Sequence, residues 1–425
     1  MFLGRLRPDA GAPRILRGFP PVARETTGPG GINTMDSELQ DILSRAATPS
    51  AAPPFWADGD APLLIYGTGS VGQDVLRILT TRGLPVTGFM DHREPGRGCL
   101  HQVRVCRPDD PAFPADVRAR AAVILAIHNP DADLPAIIRN LTNLGYRRFV
   151  SMIELSRHFA AELGPRFWLT NPGFYANLEP ILAAGYSLWA DDKNRSLYTC
   201  LLKYRTTGDL VFLPEPDAGP CYCPADVPAW ENPVRVVDCG AYTGDSLTAL
   251  KAAGYRLEAV ASFEPDAASY SHLVQVAREV LGPIDELTLW PCGVFSSAIQ
   301  MRFDMDQGTS SRISSSGSTI IQCISLDEAI PHFAPTLIKM DIEGAEHEAL
   351  LGAREMIARF HPGLAISVYH RPEDLWQIPL LVERVRQGAS EGRETSPAYE
   401  YYLRMHRRNG FEVILYAVPS QGRPR

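Results

Sequence analysis

Short apolar runs alternate with amphipathic stretches through the first half of the chain. Leu63–Tyr66 and Val86–Met90 are apolar enough to form strands, and residues 73–81 between them place their apolar side chains on one helical face. A strand over 122–127 and a helix over 134–145 continue the alternation. Strands separated by helices are typical of a parallel sheet with helices on both faces. The pattern therefore predicts an α/β domain.

The second half repeats this alternation but ends differently. Its parallel strands are predicted over 234–237, 259–263, 336–340 and 364–369. Two further strands, 399–404 and 411–417, flank Asn409-Gly410, a dipeptide typical of hairpins. We therefore expect a second α/β sheet that closes with an antiparallel hairpin.

Composition narrows the class of protein. The 425 residues are 45% apolar and 21% charged, which are ordinary values for a soluble protein. The net charge of −8 argues against sequence-independent binding to DNA or RNA. No apolar run approaches the ~20 residues of a membrane span. Of the eight cysteines, only Cys221 and Cys223 are close together, a weak zinc signal, so we expect a reducing, cytoplasmic location and no structural metal.

A glycine turn follows the first strand. Gly67, Gly69 and Gly72 have the G-x-G-x-x-G spacing between a strand and a helix, and Asp91 ends the next strand. In dinucleotide-binding folds such glycines let the backbone approach a pyrophosphate, and the acid binds a ribose. These four residues are a candidate second nucleotide site. A fold that keeps its glycines without binding a nucleotide is an equal alternative.

Four segments are expected along the chain. They are a disordered N-terminal arm and linker over 1–60, a Rossmann-like nucleotide-binding-type domain over 61–160, a partly helical bridge over 161–230 and a second Rossmann-like domain over 231–420. The first 34 residues carry arginines but no lysine, among scattered prolines and glycines. Translation from Met35, where a helix-like pattern begins, is the alternative to a longer arm.

The second domain has a glycine turn of another kind. Asp238, Gly240 and Gly244 have the spacing D-x-G-x-x-x-G, and Glu264 ends the following strand. An acid before the first glycine suits S-adenosylmethionine, because the positive sulfonium favours a nearby carboxylate. An acid at the end of the second strand can accept hydrogen bonds from both ribose hydroxyls. Tyr242 and Ser246 belong to the same cofactor-binding turn, and the sequence therefore predicts an S-adenosylmethionine site.

Charged residues gather where two later strands end. Lys339 lies near the end of one strand, Asp341 and Glu343 follow that strand, and His370 follows the next. Ligands bind at this edge of open α/β sheets, so these four residues are the candidate catalytic set. Acids at this position also interact favourably with the dipole of the following helix, which is an alternative reason for their presence. His370 is either a general base or a hydrogen-bonded loop residue. We expect Lys339 to orient the acids rather than to react.

Several motifs together resemble the FkbM family of methyltransferases over about residues 190–417. They are Asp238-Cys-Gly-Ala-Tyr-Thr-Gly-Asp-Ser, Ser262-Phe-Glu-Pro-Asp266, Leu326-Asp327 and Ile338-Lys-Met-Asp-Ile-Glu-Gly-Ala-Glu346. The resemblance implies a class I methyltransferase sheet that ends in an antiparallel hairpin. It also implies a cofactor role for Asp238, Gly240, Gly244 and Glu264, and places Asp341 and Glu343 at the active-site edge. The loop around Tyr222 departs from the family at Cys223.

The expected function is S-adenosylmethionine-dependent O-methylation of a hydroxyl on a sugar, glycan or natural product. Two alternatives stay open: an NAD-dependent oxidoreductase that uses the first domain, and a non-catalytic scaffold that binds a nucleotide or a nucleotide sugar. The expected partner is a small-molecule or glycan acceptor, without nucleic acid or a membrane span. No metal ligands are assigned, although a divalent cation held by Asp341 and Glu343 is left open. The oligomeric state cannot be read from the residues.

Overall fold

The computed structural model describes residues 35, 37–46, 54, 56, 61–92, 98–279, 281–282, 284–304, 312–313, 319–388 and 397–420. The helices within these residues are α1 Ser37–Ala46, α2 Ser70–Thr81, α3 Ala115–Arg120, α4 Leu134–Asn143, α5 Met152–Leu163, α6 Glu179–Leu188, α7 Asp192–Thr207, α8 Asp245–Ala252, α9 Ala267–Glu279, α10 Leu326–Ala329, α11 Glu346–Leu351, α12 Arg354–Phe360 and α13 Asp374–Gly388. Throughout the described part of the chain, each helix is too short or too polar to cross a membrane.

The strands within the described residues belong to three sheets. They are β1 Leu63–Tyr66, β2 Val86–Met90, β3 Cys99–Leu100, β4 Val103–Cys106, β5 Ala122–Leu125, β6 Arg148–Val150, β7 Val234–Cys239, β8 Leu257–Phe263, β9 Glu286–Trp290, β10 Gly293–Val294, β11 Ile299–Asp304, β12 Arg312–Ile313, β13 Thr319–Ile324, β14 Leu337–Met340, β15 Gly363–Ser367, β16 Tyr399–Met405 and β17 Val413–Pro419.

The first sheet confirms the predicted α/β fold of the N-terminal half. Its strand order is β3-β4-β2-β1-β5-β6, and β1 pairs in parallel with both β2 and β5. All four residues of β1 and of β5 are buried. A central parallel strand is covered on both faces, which explains why these segments are apolar without alternation.

The second sheet has the order β16-β17-β15-β14-β7-β8-β9. β14 pairs in parallel with β7 and β15, whereas β17 runs antiparallel to both β15 and β16. Asn409 and Gly410, at the turn between β16 and β17, have φ of 60° and 77°. The predicted closing hairpin is confirmed, and the antiparallel direction brings the first residues of β17 to the carboxyl edge of the neighbouring parallel strands.

The N-terminal prediction is wrong in part. Residues 37–46, expected within a disordered arm, form helix α1. Leu39 and Leu43 lie one helical turn apart and are buried in the core, and Glu38 pairs with Lys203 of α7. A helix that buries one apolar face is stabilised by that packing, which composition alone does not reveal. Residues 1–34 and most of the expected linker lie outside the described residues.

The bridge is tied to the second sheet by polar contacts. Asn194 of α7 accepts hydrogen bonds from the Leu403 backbone at 2.9 Å and from Arg404 at 2.6 Å. The guanidinium of Arg404, 1% exposed, also forms two hydrogen bonds with Asp226, at 2.9 and 3.1 Å. Lys193 lies 2.6 Å from the same carboxylate. These contacts hold the loop before β7 against the hairpin.

Replacing Asp226 by asparagine is expected to lower the free energy of unfolding by about 1–2 kcal/mol, because Arg404 keeps its place but loses its charged acceptor. The hydrogen bond from Arg404 is the main cause that lowers the pKa of Asp226 to about 2. A depressed pKa stabilises the folded state above the unfolded-state pKa of about 4, and this stabilisation is lost as the pH falls towards 2. Urea unfolding of both proteins between about pH 7 and 2.5 measures the difference; a difference independent of pH would contradict this role.

Candidate active site

The parallel register of the second sheet creates a buried ion pair beside the second glycine turn. Lys339 of β14 is opposite Asp238 of β7, and its Nζ lies 3.1 Å from Asp238 Oδ1 and 2.6 Å from the Gly240 carbonyl oxygen. Ser246 donates to Asp238 Oδ2 at 2.6 Å. Burial alone would lower the pKa of Lys339, but the carboxylates of Asp238, Asp341 and Asp245 raise it above its ordinary value. The lysine therefore stays charged and fixes the turn.

The turn itself requires glycine. Gly240 has φ +72°, and a Cβ built there would lie 1.9 Å from the backbone oxygen of Asp341. Gly244, with φ +87°, precedes α8. The close approach brings the loop after β7 into contact with the loop after β14, so the predicted cofactor and catalytic segments adjoin one another.

Glu264 fixes the backbone of the glycine turn that contains Tyr242. Its two carboxylate oxygens accept hydrogen bonds from the backbone N–H of Tyr242 and of Asp266, both at 2.8 Å. Burial raises the pKa of Glu264, and those backbone hydrogen bonds partly offset the effect. Tyr242 has φ +46° and an exposed side chain at the mouth of the turn. The carboxylate is thus oriented by the backbone while it keeps further lone pairs as acceptors.

Four carboxylates lie around the imidazole of His370, next to Lys339. They belong to Asp341, Glu343, Glu346 and Glu412, and we call these four residues and His370 the histidine–carboxylate cluster. His370 Nδ1 lies 2.8 Å from Glu346 Oε1, and its Nε2 lies 3.3 Å from Asp341 Oδ1 and 3.8 Å from Glu343 Oε2. Burial would lower the pKa of His370, but Glu346, Glu343 and Asp341 raise it to about 10. In the isolated protein this ring is an imidazolium at neutral pH.

The members of the cluster differ in their access to solvent. The side chains of Asp341 and Glu343 are each 24% exposed, whereas those of His370 and Glu346 are 1% and 0% exposed. A substrate can therefore touch Asp341 and Glu343, while His370 and Glu346 lie behind them. Glu346 starts α11, as an acid that favours a helix dipole would, but it also accepts from the Ile342 backbone at 2.9 Å.

The two accessible acids have different electrostatic environments. Burial raises the pKa of Asp341, but the charges of His370 and Lys339 outweigh it, so the pKa lies below its ordinary value. Burial raises the pKa of Glu343 to about 8. Glu343 also has φ +56°, an unusual conformation for a residue with a side chain. Strained residues of this kind concentrate at functional sites.

Two residues of the site were not expected from the sequence. Tyr222, which the candidate catalytic set did not include, donates to Asp341 Oδ2 at 3.1 Å, and the Lys339 Nζ lies over its ring. Glu412 reaches the cluster because β17 starts at the carboxyl edge of the sheet, and burial followed by the charge of Asp341 raises its pKa. The sequence features that could have indicated these two residues are an aromatic residue in a polar loop, for Tyr222, and an acid shortly after the hairpin turn, for Glu412.

Aromatic side chains pack next to His370, on the buried side of the histidine–carboxylate cluster. Phe167, from the bridge, stacks on Tyr369 with ring centres 5.9 Å apart and lies 6.0 Å from the His370 ring. Phe411 packs edge-on against Phe167 at 5.2 Å. His128, which follows β5 of the first sheet, lies 5.0 Å from Phe411. Aromatic residues from the loops beside both sheets and from the bridge thus pack against one another next to His370.

The first glycine turn follows β1 of the first sheet. Gly67 has φ +108°, and a Cβ on Gly72 would lie 2.0 Å from the Gly67 carbonyl oxygen. Asp91 Oδ2 accepts hydrogen bonds from the backbone N–H and the hydroxyl of Thr68, at 3.1 and 2.7 Å. The carboxylate thus stabilises the turn, and its expected role towards a ribose stays a prediction. Gly69 is the N-cap residue before α2, and a Cβ built there would have nothing within 4 Å.

Comparison with known proteins agrees with the geometry. The sequence model described as Methyltransferase FkbM domain matches residues 238–413. Curated proteins contain no match to the chain. The crystal structure of a methyltransferase FkbM from Methylobacillus flagellatus KT is similar, with 21% identity and a TM-score of 0.65, over 90% of this chain and 94% of that one. That likeness establishes a shared fold.

Two other solved structures are more distant. A putative rRNA-methylase from Clostridium thermocellum has 14% identity over 45% of this chain and 90% of its own, with a TM-score of 0.28. Magnesium protoporphyrin IX methyltransferase from Synechocystis PCC 6803 has 12% identity over 57% of this chain and 84% of its own, with a TM-score of 0.26. Such scores are too low to carry an argument. Residues 238–413 of this chain are therefore similar to a methyltransferase FkbM domain, and the chain shares the fold of an FkbM methyltransferase.

Proposed function

We propose that the chain transfers a methyl group from S-adenosylmethionine to a hydroxyl oxygen of a sugar, glycan or natural product. The observation that carries the proposal is the contact between the 238–244 turn and the loop that bears Asp341, which joins a cofactor-type turn to two accessible carboxylates. In this arrangement the acceptor oxygen attacks the methyl carbon in line, and the bond from that carbon to sulfur breaks. Holding the two reactants at attack distance supplies most of the rate, up to about 7–11 kcal/mol in favourable cases.

Asp341 takes the acceptor's hydroxyl proton in this proposal. It is accessible, its pKa is held below the ordinary value, and Tyr222 fixes its second oxygen at 3.1 Å. His370 was the other candidate base. Its ring is almost fully buried and faces carboxylates on both nitrogens, which favours a positioning role. Lys339 is held by Asp238 and the turn, in keeping with an orienting role.

Glu264 is proposed to accept hydrogen bonds from the cofactor ribose. Glu264→Gln is expected to weaken S-adenosylmethionine binding by about 10–100-fold, because one charge-assisted acceptor is lost. Calorimetric titration measures the affinity. The matched control is Glu258→Gln, which removes a carboxylate from the opposite end of the same strand, where it pairs with Arg235 and Arg256. Equal affinities for the Glu264 and Glu258 variants would remove Glu264 from the cofactor site.

The acceptor class is tested with methyl-labelled S-adenosylmethionine and the full chain. Parallel incubations contain mono- and oligosaccharides, hydroxylated natural products and, as a contrast, amines and thiols. We expect label in a hydroxyl-bearing acceptor, recovered as a methyl ether. Label that enters only amines or thiols would contradict the proposed O-methylation while leaving the methyltransferase assignment intact.

A further inference from the structure

Three members of the histidine–carboxylate cluster have the arrangement of metal ligands. Asp341, Glu346 and His370 each offer one ligand atom, and these atoms lie within 4.8 Å of one another. Ligands of a six-coordinate ion at about 2.1 Å are separated by roughly 3–4.2 Å, so a small shift of one carboxylate completes the set. The three side chains come from separate elements: the loop after β14, the start of α11 and the loop after β15.

The imidazole of His370 has carboxylates beside both ring nitrogens. Its Nδ1 lies 2.8 Å from the buried Glu346 Oε1, while Nε2 faces Asp341 and Glu343. An ion that binds the ring displaces the proton from the ligating nitrogen, because a histidine ligand is neutral. Within the described residues, neither His370 Nε2 nor Glu346 Oε2 has a hydrogen-bond partner, although both atoms are buried. Unpaired buried polar atoms of this kind are costly unless something else binds them.

The local charge is also unbalanced. Asp341, Glu343, Glu346 and Glu412 supply four carboxylates, and the nearby Lys339 already pairs with Asp238. A divalent cation would supply two positive charges where the carboxylates converge.

We propose that Asp341, Glu346 and His370 bind one divalent first-row metal ion that accepts mixed nitrogen and oxygen ligands, with Mn²⁺ as the probe. The accessible side chain of Glu343 lies beside these ligands, where it can complete the coordination of the ion or contact the acceptor. Ion binding stands on this geometry alone. Only the further role of the ion, which is to bind the acceptor oxygen and lower its pKa, rests on the proposed O-methylation.

The test measures Mn²⁺ binding without cofactor or acceptor, so that its result is independent of the proposed function. Full-length protein is stripped with EDTA, freed of chelator and titrated with MnCl₂, and free Mn²⁺ is read by electron paramagnetic resonance. We expect about one ion per chain, with affinity lowered at least about tenfold in His370→Ala and in Glu346→Gln. The control, His347→Ala, removes a half-exposed histidine next to Glu346 in α11 and should bind as the wild type does.

Folding of each variant is checked by circular dichroism and by the thermal midpoint. Glu346→Gln preserves the side-chain shape, so it serves as the decisive variant if His370→Ala does not fold. Mn²⁺ should raise the thermal midpoint of the wild type and of His347→Ala more than that of Glu346→Gln. Wild-type protein that leaves Mn²⁺ free up to about 1 mM, or a Glu346→Gln variant that binds it equally well, would overturn the proposal.

Discussion

Asp341→Asn is expected to lower kcat by about 10²–10⁴-fold, the usual contribution of a general base, while the affinity for S-adenosylmethionine stays within about threefold. Asparagine has nearly the same shape and retains an oxygen that can accept from Tyr222, but it cannot take a proton. Steady-state kinetics with labelled cofactor measure kcat, and calorimetry measures the affinity. A loss in kcat without a loss in affinity would assign Asp341 to the methyl-transfer step.

Glu383→Gln provides the matched control for this substitution. Glu383 of α13 also accepts a hydrogen bond from a tyrosine, Tyr401, at 2.8 Å, but it lies outside the histidine–carboxylate cluster. Its replacement should lower stability and leave kcat unchanged. Full turnover in Asp341→Asn would remove Asp341 from the mechanism, and a parallel fall in cofactor affinity would instead make it a cofactor ligand.

Gly240→Ala is expected to destabilise the protein by roughly 2–5 kcal/mol and to abolish cofactor binding. The new Cβ would lie 1.9 Å from the Asp341 backbone oxygen, and φ is +72°. The left-handed conformation costs about 1–2 kcal/mol for a residue with a side chain, and overpacking adds about 1–3 kcal/mol. The loop after β7 and the loop after β14 must then move apart, which separates the cofactor turn from the carboxylate of Asp341. Thermal unfolding and cofactor titration measure the two effects.

Gly254→Ala separates strain from steric overlap. Gly254 has φ +90° but nothing within 4 Å of an added Cβ, so only the conformational cost of about 1–2 kcal/mol applies. Cofactor affinity should be unchanged in this variant. If Gly240→Ala proved as stable as Gly254→Ala and bound the cofactor normally, the close contact between the two loops would not be needed for the site.

Much of the fold follows from local patterns. Buried parallel strands lack polar alternation, which is why β1, β5, β7 and β14 can be located in the sequence, and Asn409-Gly410 marks the closing hairpin. The sheet β10-β13-β11-β12 was not predicted, because β10 and β12 have only two residues each and β13 is partly exposed. Helix α1 agrees with the helix-like pattern that begins at Met35, although the expected domain boundaries placed this segment in a disordered arm.

The sequence predicts those site residues that lie at the carboxyl ends of neighbouring strands. Asp238, Lys339 and Asp341 share a sheet edge that the α/β pattern implies. The pairing of Lys339 with Asp238 depends on the register between β7 and β14, and no local sequence signal specifies it. Tyr222 and Glu412 reach the cluster through a loop and an antiparallel strand, so their positions follow from tertiary packing rather than from spacing.

The central claim is that the turn over 238–244 binds S-adenosylmethionine. The most direct measurement is thermal shift of the full chain with S-adenosylmethionine, S-adenosylhomocysteine, NAD, NADP and UDP-sugars, followed by calorimetry of the ligands that stabilise it. We expect stabilisation by S-adenosylmethionine and S-adenosylhomocysteine that is lost in Gly240→Ala. Stabilisation by NAD alone, unaffected by that substitution, would contradict the account and move the ligand site to the first glycine turn.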